Sequence, residues 1–138
     1  MPADPEERKA TVLIVEDEPD VRRFVNTVLS SNGFETIESS NGQEALLLAQ
    51  RNRPEGGVDV LLTDVVMPGI DGVELAERFR ERYPDTKVIL MSGCPDVQHA
   101  RLDAIKSTWK FVLKPFRADE LIDAIRGALK PHHRQLPD

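Results

Sequence analysis

The apolar positions of this chain fall into two rhythms. Five short runs rich in branched residues, Thr11–Val15, Phe34–Glu38, Val58–Thr63, Val88–Met91 and Phe111–Leu113, predict buried strands. Within them apolar residues are near-continuous instead of alternating, which indicates a sheet covered on both faces and therefore parallel strands. Between the runs the spacing changes to the helical one. Val21, Phe24, Val25, Val28 and Leu29 share one helical face, and Asn32-Gly33 supplies a stop. A second helix opens near Ser40/Asn41 with Glu44 as capping partner. A third opens at Asp71 with Glu74 in the same relation, and buries Leu75, Ala76 and Phe79. A fourth is placed over Asp96–Lys106 on the sparse apolar positions Val97, Ala100 and Ala104. The last buries Leu121, Ile122, Ile125, Ala128 and Leu129. Pro19, Pro54, Pro68, Pro84, Pro95 and Pro115 fall between apolar segments or at helix starts, where a missing N–H is tolerated. The alternation predicts an α/β chain, a single doubly wound (βα)5 domain with right-handed crossovers and helices on both faces of the sheet.

Composition narrows the function classes. The 138 residues suit one domain. Acidic residues outnumber basic ones, 24 to 18, and the net charge of −6 argues against direct nucleic-acid binding. The one cysteine, Cys94, excludes an intramolecular disulfide and Cys-based zinc sites. The longest apolar run, Ala45–Ala49, is far too short to cross a membrane, and MPADPEERKA is too polar for a signal peptide. The expectation is a cytoplasmic protein with no membrane partner.

In an open parallel sheet, sites form beyond the carboxyl ends of the strands. The residues there are Glu16, Asp17 and Glu18 after the first strand, Asp64 after the third, Ser92 after the fourth and Lys114 after the fifth. Singly, each has a plainer reading: a helix-dipole cluster, a turn residue, a loop serine, a surface lysine. Together they place carboxylates, a hydroxyl and an ammonium in one crevice. Clustered carboxylates repel one another, and an oxygen-only donor set with room for water suits Mg²⁺. Metal, lysine, hydroxyl and a free carboxylate suit phosphoryl transfer onto an aspartate.

The motifs VLIVEDEP, LLTDVVMPGIDG, VILMSG and FVLKPF, in this order and spacing, resemble the CheY-like receiver domain of two-component response regulators. The resemblance runs from Thr11 to Leu129. It implies a flavodoxin-like sheet of order 2-1-3-4-5 and a receiver over residues 11–130, with a flexible N-terminal arm (1–10) and a flexible C-terminal tail (131–138). It further implies that Asp64 is the phosphoacceptor, assisted by Lys114 and Ser92. Mg²⁺ would be held by Glu16, Asp17, Asp64 and the Val66 carbonyl, with Asp17 the direct ligand beside Asp64. Ser92 and Phe111 would be the switch pair, and Lys114–Pro115 would be cis. The donor would be a histidine kinase or histidine phosphotransfer protein, within a two-component pathway or a phosphorelay. The α4-β5-α5 face would meet a downstream protein target or form a homodimer. Such a domain assists only its own phosphorylation and dephosphorylation, and is not an enzyme in the ordinary sense.

Some positions depart from the commonest family pattern. Glu16 replaces an aspartate, Ser92 a threonine, and Phe111 a tyrosine, so the switch aromatic lacks a phenolic hydroxyl. Val66 and Cys94 are uncharged where the family tunes water access, which implies an aspartyl phosphate that is not unusually short-lived. MSG at Met91–Gly93 resembles receivers of hybrid kinases. His132-His133 reads as tail, His99 as solvent-side, and Trp109 as either packing or partner surface. Three alternatives stand beside the receiver. An aspartate-nucleophile phosphatase needs a second aspartate where Val66 stands. A nucleotide or flavin domain needs glycines where EDEPD stands. An adaptor of receiver fold needs no phosphorylation. With some 119 residues in one receiver, output is expected through protein contact, or the chain is cut from a larger regulator.

Overall fold

The computed structural model of the chain describes residues 9–52, 57–93 and 99–130. Strands β1 (Thr11–Val15), β2 (Glu35–Ser39), β3 (Val60–Asp64), β4 (Lys87–Gly93) and β5 (Lys110–Lys114) alternate with five helices. These are α1 (Pro19–Ser31), α2 (Gly42–Asn52), α3 (Gly72–Arg82), α4 (His99–Thr108) and α5 (Ala118–Leu129). Every strand pairing is parallel and the order is β2-β1-β3-β4-β5, the doubly wound flavodoxin-like arrangement expected from the sequence. Strand limits move by at most two residues from the apolar runs. Among the described residues no helix is long and apolar enough to cross a membrane.

Strand side chains divide between two cores. On β1, Val12 and Ile14 pack with Val25 and Leu29 of α1 and with Leu121 and Ile125 of α5. Leu13 and Val15 point to the other face, onto Ala45 and Ala49 of α2 and Leu75 and Phe79 of α3. A third cluster joins Leu90, Ala76 of α3 and Ile105 of α4. Each fully buried branched or aromatic side chain contributes about 1.5–3 kcal/mol, so two-sided burial fixes the strand faces strongly.

The expected caps form. Asn41 Oδ1 accepts from the Glu44 amide at 2.8 Å, and Glu44 Oε1 accepts from the Ser40 amide at 2.9 Å. Asp71 Oδ1 accepts from the Glu74 amide at 2.9 Å. Two apolar positions differ from expectation. Phe24 is 45% exposed instead of facing the sheet. Its neighbour is Phe116 in the β5–α5 connection, 6.4 Å between ring centres, beside a cleft of about 520 Å³ that Val21 and Pro115 also line. In α4, Ala104 is exposed and Ile105, one position on, carries the burial. Cys94, Val97 and His132-His133 lie outside the described residues.

Candidate functional site

The parallel register sets the carboxyl ends of the strands level. Val15 pairs with Thr63, Asp64 with Met91, and Gly93 with Lys114. β1 lies between β2 and β3, so the chain winds outward in opposite directions from it, and the crevice opens over β1 and β3. Glu16 follows β1 directly, its amide donating to the Ser39 carbonyl at 3.0 Å. Asp64 ends β3 and Lys114 ends β5.

Glu16 and Asp64 are buried and Asp17 is exposed, yet one carboxylate oxygen from each lies within 4.8 Å of the others. Lys114 Nζ stands 2.7 Å from Glu16 Oε1 and 2.8 Å from Asp64 Oδ1, bridging the two buried carboxylates. The Glu18 amide donates to Glu16 Oε2 at 3.1 Å. Burial pushes the Asp64 carboxyl up, its hydrogen bond to Glu16 adds to this, and Lys114 offsets only part, leaving Asp64 at about 8. Burial acts on Glu16 in the same sense, but hydrogen bonds from Asp64, Lys114 and the Glu18 amide outweigh it and hold Glu16 below its ordinary value. Burial opposes the charge on Lys114, and its bonds to Asp64 and Glu16 more than compensate, raising its pKa. The charge pattern follows: one proton shared by the carboxylates, carried on Asp64, balances the trio with Lys114 cationic and Glu16 anionic.

Three hard oxygen donors converging beside open solvent fit Mg²⁺, and do not fit a soft-ligand metal. A divalent cation held there would take the place of the proton on Asp64, and its binding would be coupled to pH. Between about pH 6 and 8, Mg²⁺ affinity is expected to rise by up to about tenfold per pH unit, as calorimetric titration will read. The metal-free protein is expected to follow the matching stability trend. Asp64 has a folded pKa above its unfolded one, so its stabilisation is complete below the ordinary carboxylate range and is lost as pH rises through about 8. Glu16 has its window in acid and Lys114 above pH 10, outside this range. Melting in chelator should therefore fall between pH 6 and 8.5 in wild type, and stay flatter in Asp64→Asn.

The other expected site residues are placed as follows. Ser92 is buried, and among the described residues its hydroxyl donates to the Gly93 carbonyl at 3.2 Å instead of reaching the carboxylates. Val66, two residues beyond Asp64, is 48% exposed. Phe111 is half-buried, with Lys106 Nζ 5.9 Å from its ring centre. Trp109 packs in the α3–α4 cluster under the Arg80 guanidinium, 4.3 Å from its ring centre. The Lys114–Pro115 bond is cis.

Three supporting residues escaped the sequence reading. A Cβ on Gly72 would lie 1.9 Å from the Asp64 carbonyl oxygen, so α3 starts in backbone contact with the site. Thr63 Oγ1 donates to that same carbonyl at 3.0 Å. Arg22 donates to the Glu16 carbonyl at 2.8 Å. Gly72 had a signal, a glycine at a helix start, but reads first as turn chemistry; Arg22 and Thr63 carry none.

Comparisons with known proteins identify the family and the fold. The family profile described as response regulator receiver domain matches residues 12–126. The regulatory protein AtoC of Escherichia coli is 38% identical over 120 residues, 86% of this chain and 25% of its own length. Sporulation initiation phosphotransferase F of Bacillus subtilis is 30% identical over 118 residues, 86% of this chain and 92% of its own. The solved structure of Vibrio cholerae chemotaxis protein CheY4 superposes with a TM-score of 0.77 at 27% identity, covering 88% of this chain and 100% of its own. This chain thus spans a quarter of AtoC and nearly all of phosphotransferase F. It belongs to the response regulator receiver domain family of two-component systems.

Proposed function

We propose that this receiver, residues 11–130, is a cytoplasmic phosphorylation switch. It takes a phosphoryl group onto Asp64 from the phosphohistidine of a kinase or phosphotransfer protein, in a two-component pathway or phosphorelay. The observation that carries this is the buried Asp64 carboxylate, 2.8 Å from a lysine ammonium and grouped with Glu16 and Asp17. Glu16, Asp17, Asp64 and the Val66 carbonyl would hold Mg²⁺, which when bound neutralises charge on the phosphoryl oxygens. Asp64, freed of its proton, attacks phosphorus with one carboxylate oxygen. The P–N bond to the donor imidazole breaks, the electron pair leaves with the nitrogen, and an acyl phosphate remains on Asp64. Lys114, already beside the nucleophile, pairs with the incoming phosphoryl oxygens. Ser92 exchanges its bond to Gly93 for one to the phosphoryl group, and Phe111 turns inward into the room this leaves. These moves bias two states of the α4-β5-α5 face, which meets a protein target or a second copy. The half-buried Phe111 and the exposed Leu113 on that face support the reading.

Incubation with a small acyl phosphate and Mg²⁺, followed by intact mass, tests it. Wild type should gain one phosphoryl group and Asp64→Asn none. If wild type gains none, the receiver acts as an adaptor without phosphorylation.

A further inference from the structure

Arg22, on the first turns of α1, joins the metal-facing loop to β2. Its Nη1 donates to the Glu16 backbone carbonyl at 2.8 Å, and its Nε pairs with Glu38 Oε1 at 3.3 Å. The second Glu38 oxygen accepts from Asn26 Nδ2, and Asn26 Oδ1 accepts from Thr36 Oγ1 at 3.1 Å. The guanidinium is thus seated between two acceptors by a planar fork that a point charge does not reproduce.

The carbonyl it holds belongs to the peptide joining Glu16 to Asp17. Glu16 is anchored through its own side chain by Lys114 and the Glu18 amide. Asp17 is exposed, and among the described residues its carboxylate has no hydrogen-bond or ion-pair partner. The backbone that carries it sets where its Cβ points, and Arg22 bonds to the carbonyl of that peptide.

We infer that Arg22, braced by Glu38, is a positioning residue that presents Asp17 to the divalent cation. This rests on the proposed Mg²⁺ site and adds a residue the site's own ligands do not include. Outer partners that orient ligands change metal affinity by roughly 10–100-fold when lost.

Calorimetric titration of Mg²⁺ into wild type, Arg22→Ala, Arg22→Lys, Glu38→Gln and the Arg22→Ala/Glu38→Gln pair tests it, with melting in chelator run alongside. Arg22→Ala should weaken binding about tenfold. Arg22→Lys, which keeps the charge and loses the fork, should weaken it by less, with the metal-free melting temperature held. Glu38→Gln should act in the same direction, and the pair should bind no worse than Arg22→Ala alone. With an acyl phosphate, the half-saturating Mg²⁺ concentration should move while the rate at saturation does not. Wild-type affinity in both Arg22→Ala and Arg22→Lys, or additive losses in the pair, overturns the inference while leaving the site intact. Failure of wild type itself to bind Mg²⁺ instead overturns the site.

Discussion

Lys114→Ala is expected to slow phosphorylation of Asp64 by about 10²–10³-fold at saturating Mg²⁺, the usual cost of removing one preorganised group aimed at developing charge. Lys114 Nζ sits 2.7 Å from Glu16 and 2.8 Å from Asp64, so its ammonium is in place before any phosphoryl group arrives. Two other effects of the substitution must be separated from this one. Removing one partner of a buried ion pair costs up to about 3–5 kcal/mol when the remaining charge cannot be neutralised. Here it can be. Without Lys114 the Asp64 carboxyl moves further up from about 8, so the pair keeps its shared proton at pH 7 and the fold survives. The same loss removes a cation that competes with the metal, so Mg²⁺ should bind as well or better. A slow rate combined with undiminished Mg²⁺ affinity then isolates the part Lys114 plays in transfer. Time courses of intact mass against acyl phosphate, read beside calorimetry, check both halves. A rate within threefold of wild type would remove Lys114 from the transfer step.

The residues most visible in the sequence are those whose partners lie close along the chain or repeat with a period. β1 and β3 stand out because both faces of each are buried, leaving runs such as Val12–Val15 without polar interruptions. The caps Asn41–Glu44 and Asp71–Glu74 join residues three apart, within the reach of a local pattern. Glu16, Asp64 and Lys114 were legible jointly, since each follows or ends a strand and parallel strands end at one edge. What the pattern does not carry is long-range contact. Phe24 obeys the helical period of α1, but its neighbour is Phe116, 92 positions away in sequence, rather than the sheet. In α4 the described helix buries Ile105, and a face so narrow leaves little periodic signal. The protonation of the carboxylates is likewise invisible in one dimension. Asp64 is pushed up by burial and by the neighbouring Glu16, while bonds from Asp64, Lys114 and the Glu18 amide hold Glu16 down, which no spacing records.

Gly72→Ala is expected to destabilise the fold by about 3 kcal/mol and to impair phosphorylation as well. Helix propensity alone predicts the opposite sign. Gly72 opens α3, and alanine is favoured over glycine inside a helix by about 1 kcal/mol. The steric term is larger. The added Cβ would stand 1.9 Å from the Asp64 carbonyl oxygen, 2.8 Å from its carbon and 2.9 Å from Val65 Cα. All three are backbone atoms, so no side chain can swing aside. The Gly72 amide also donates to the Val65 carbonyl at 2.8 Å, tying the helix start to the residue that follows β3. Relief requires α3 or the Asp64 backbone to shift, and a displacement of about 1 Å at a reacting group costs on the order of 10²-fold in rate. Gly33→Ala is the control. Gly33 has φ of 89° and nothing within 4 Å of an added Cβ, so alanine there meets conformational strain alone, about 1–2 kcal/mol, with the site untouched. Thermal melting should fall by roughly 10–15 °C for Gly72→Ala and by about a third to two thirds of that for Gly33→Ala. Phosphorylation should drop only in Gly72→Ala, measured at a temperature where both variants are folded. A Gly72→Ala protein as stable as wild type would mean that the α3 start yields freely and does not set the position of Asp64.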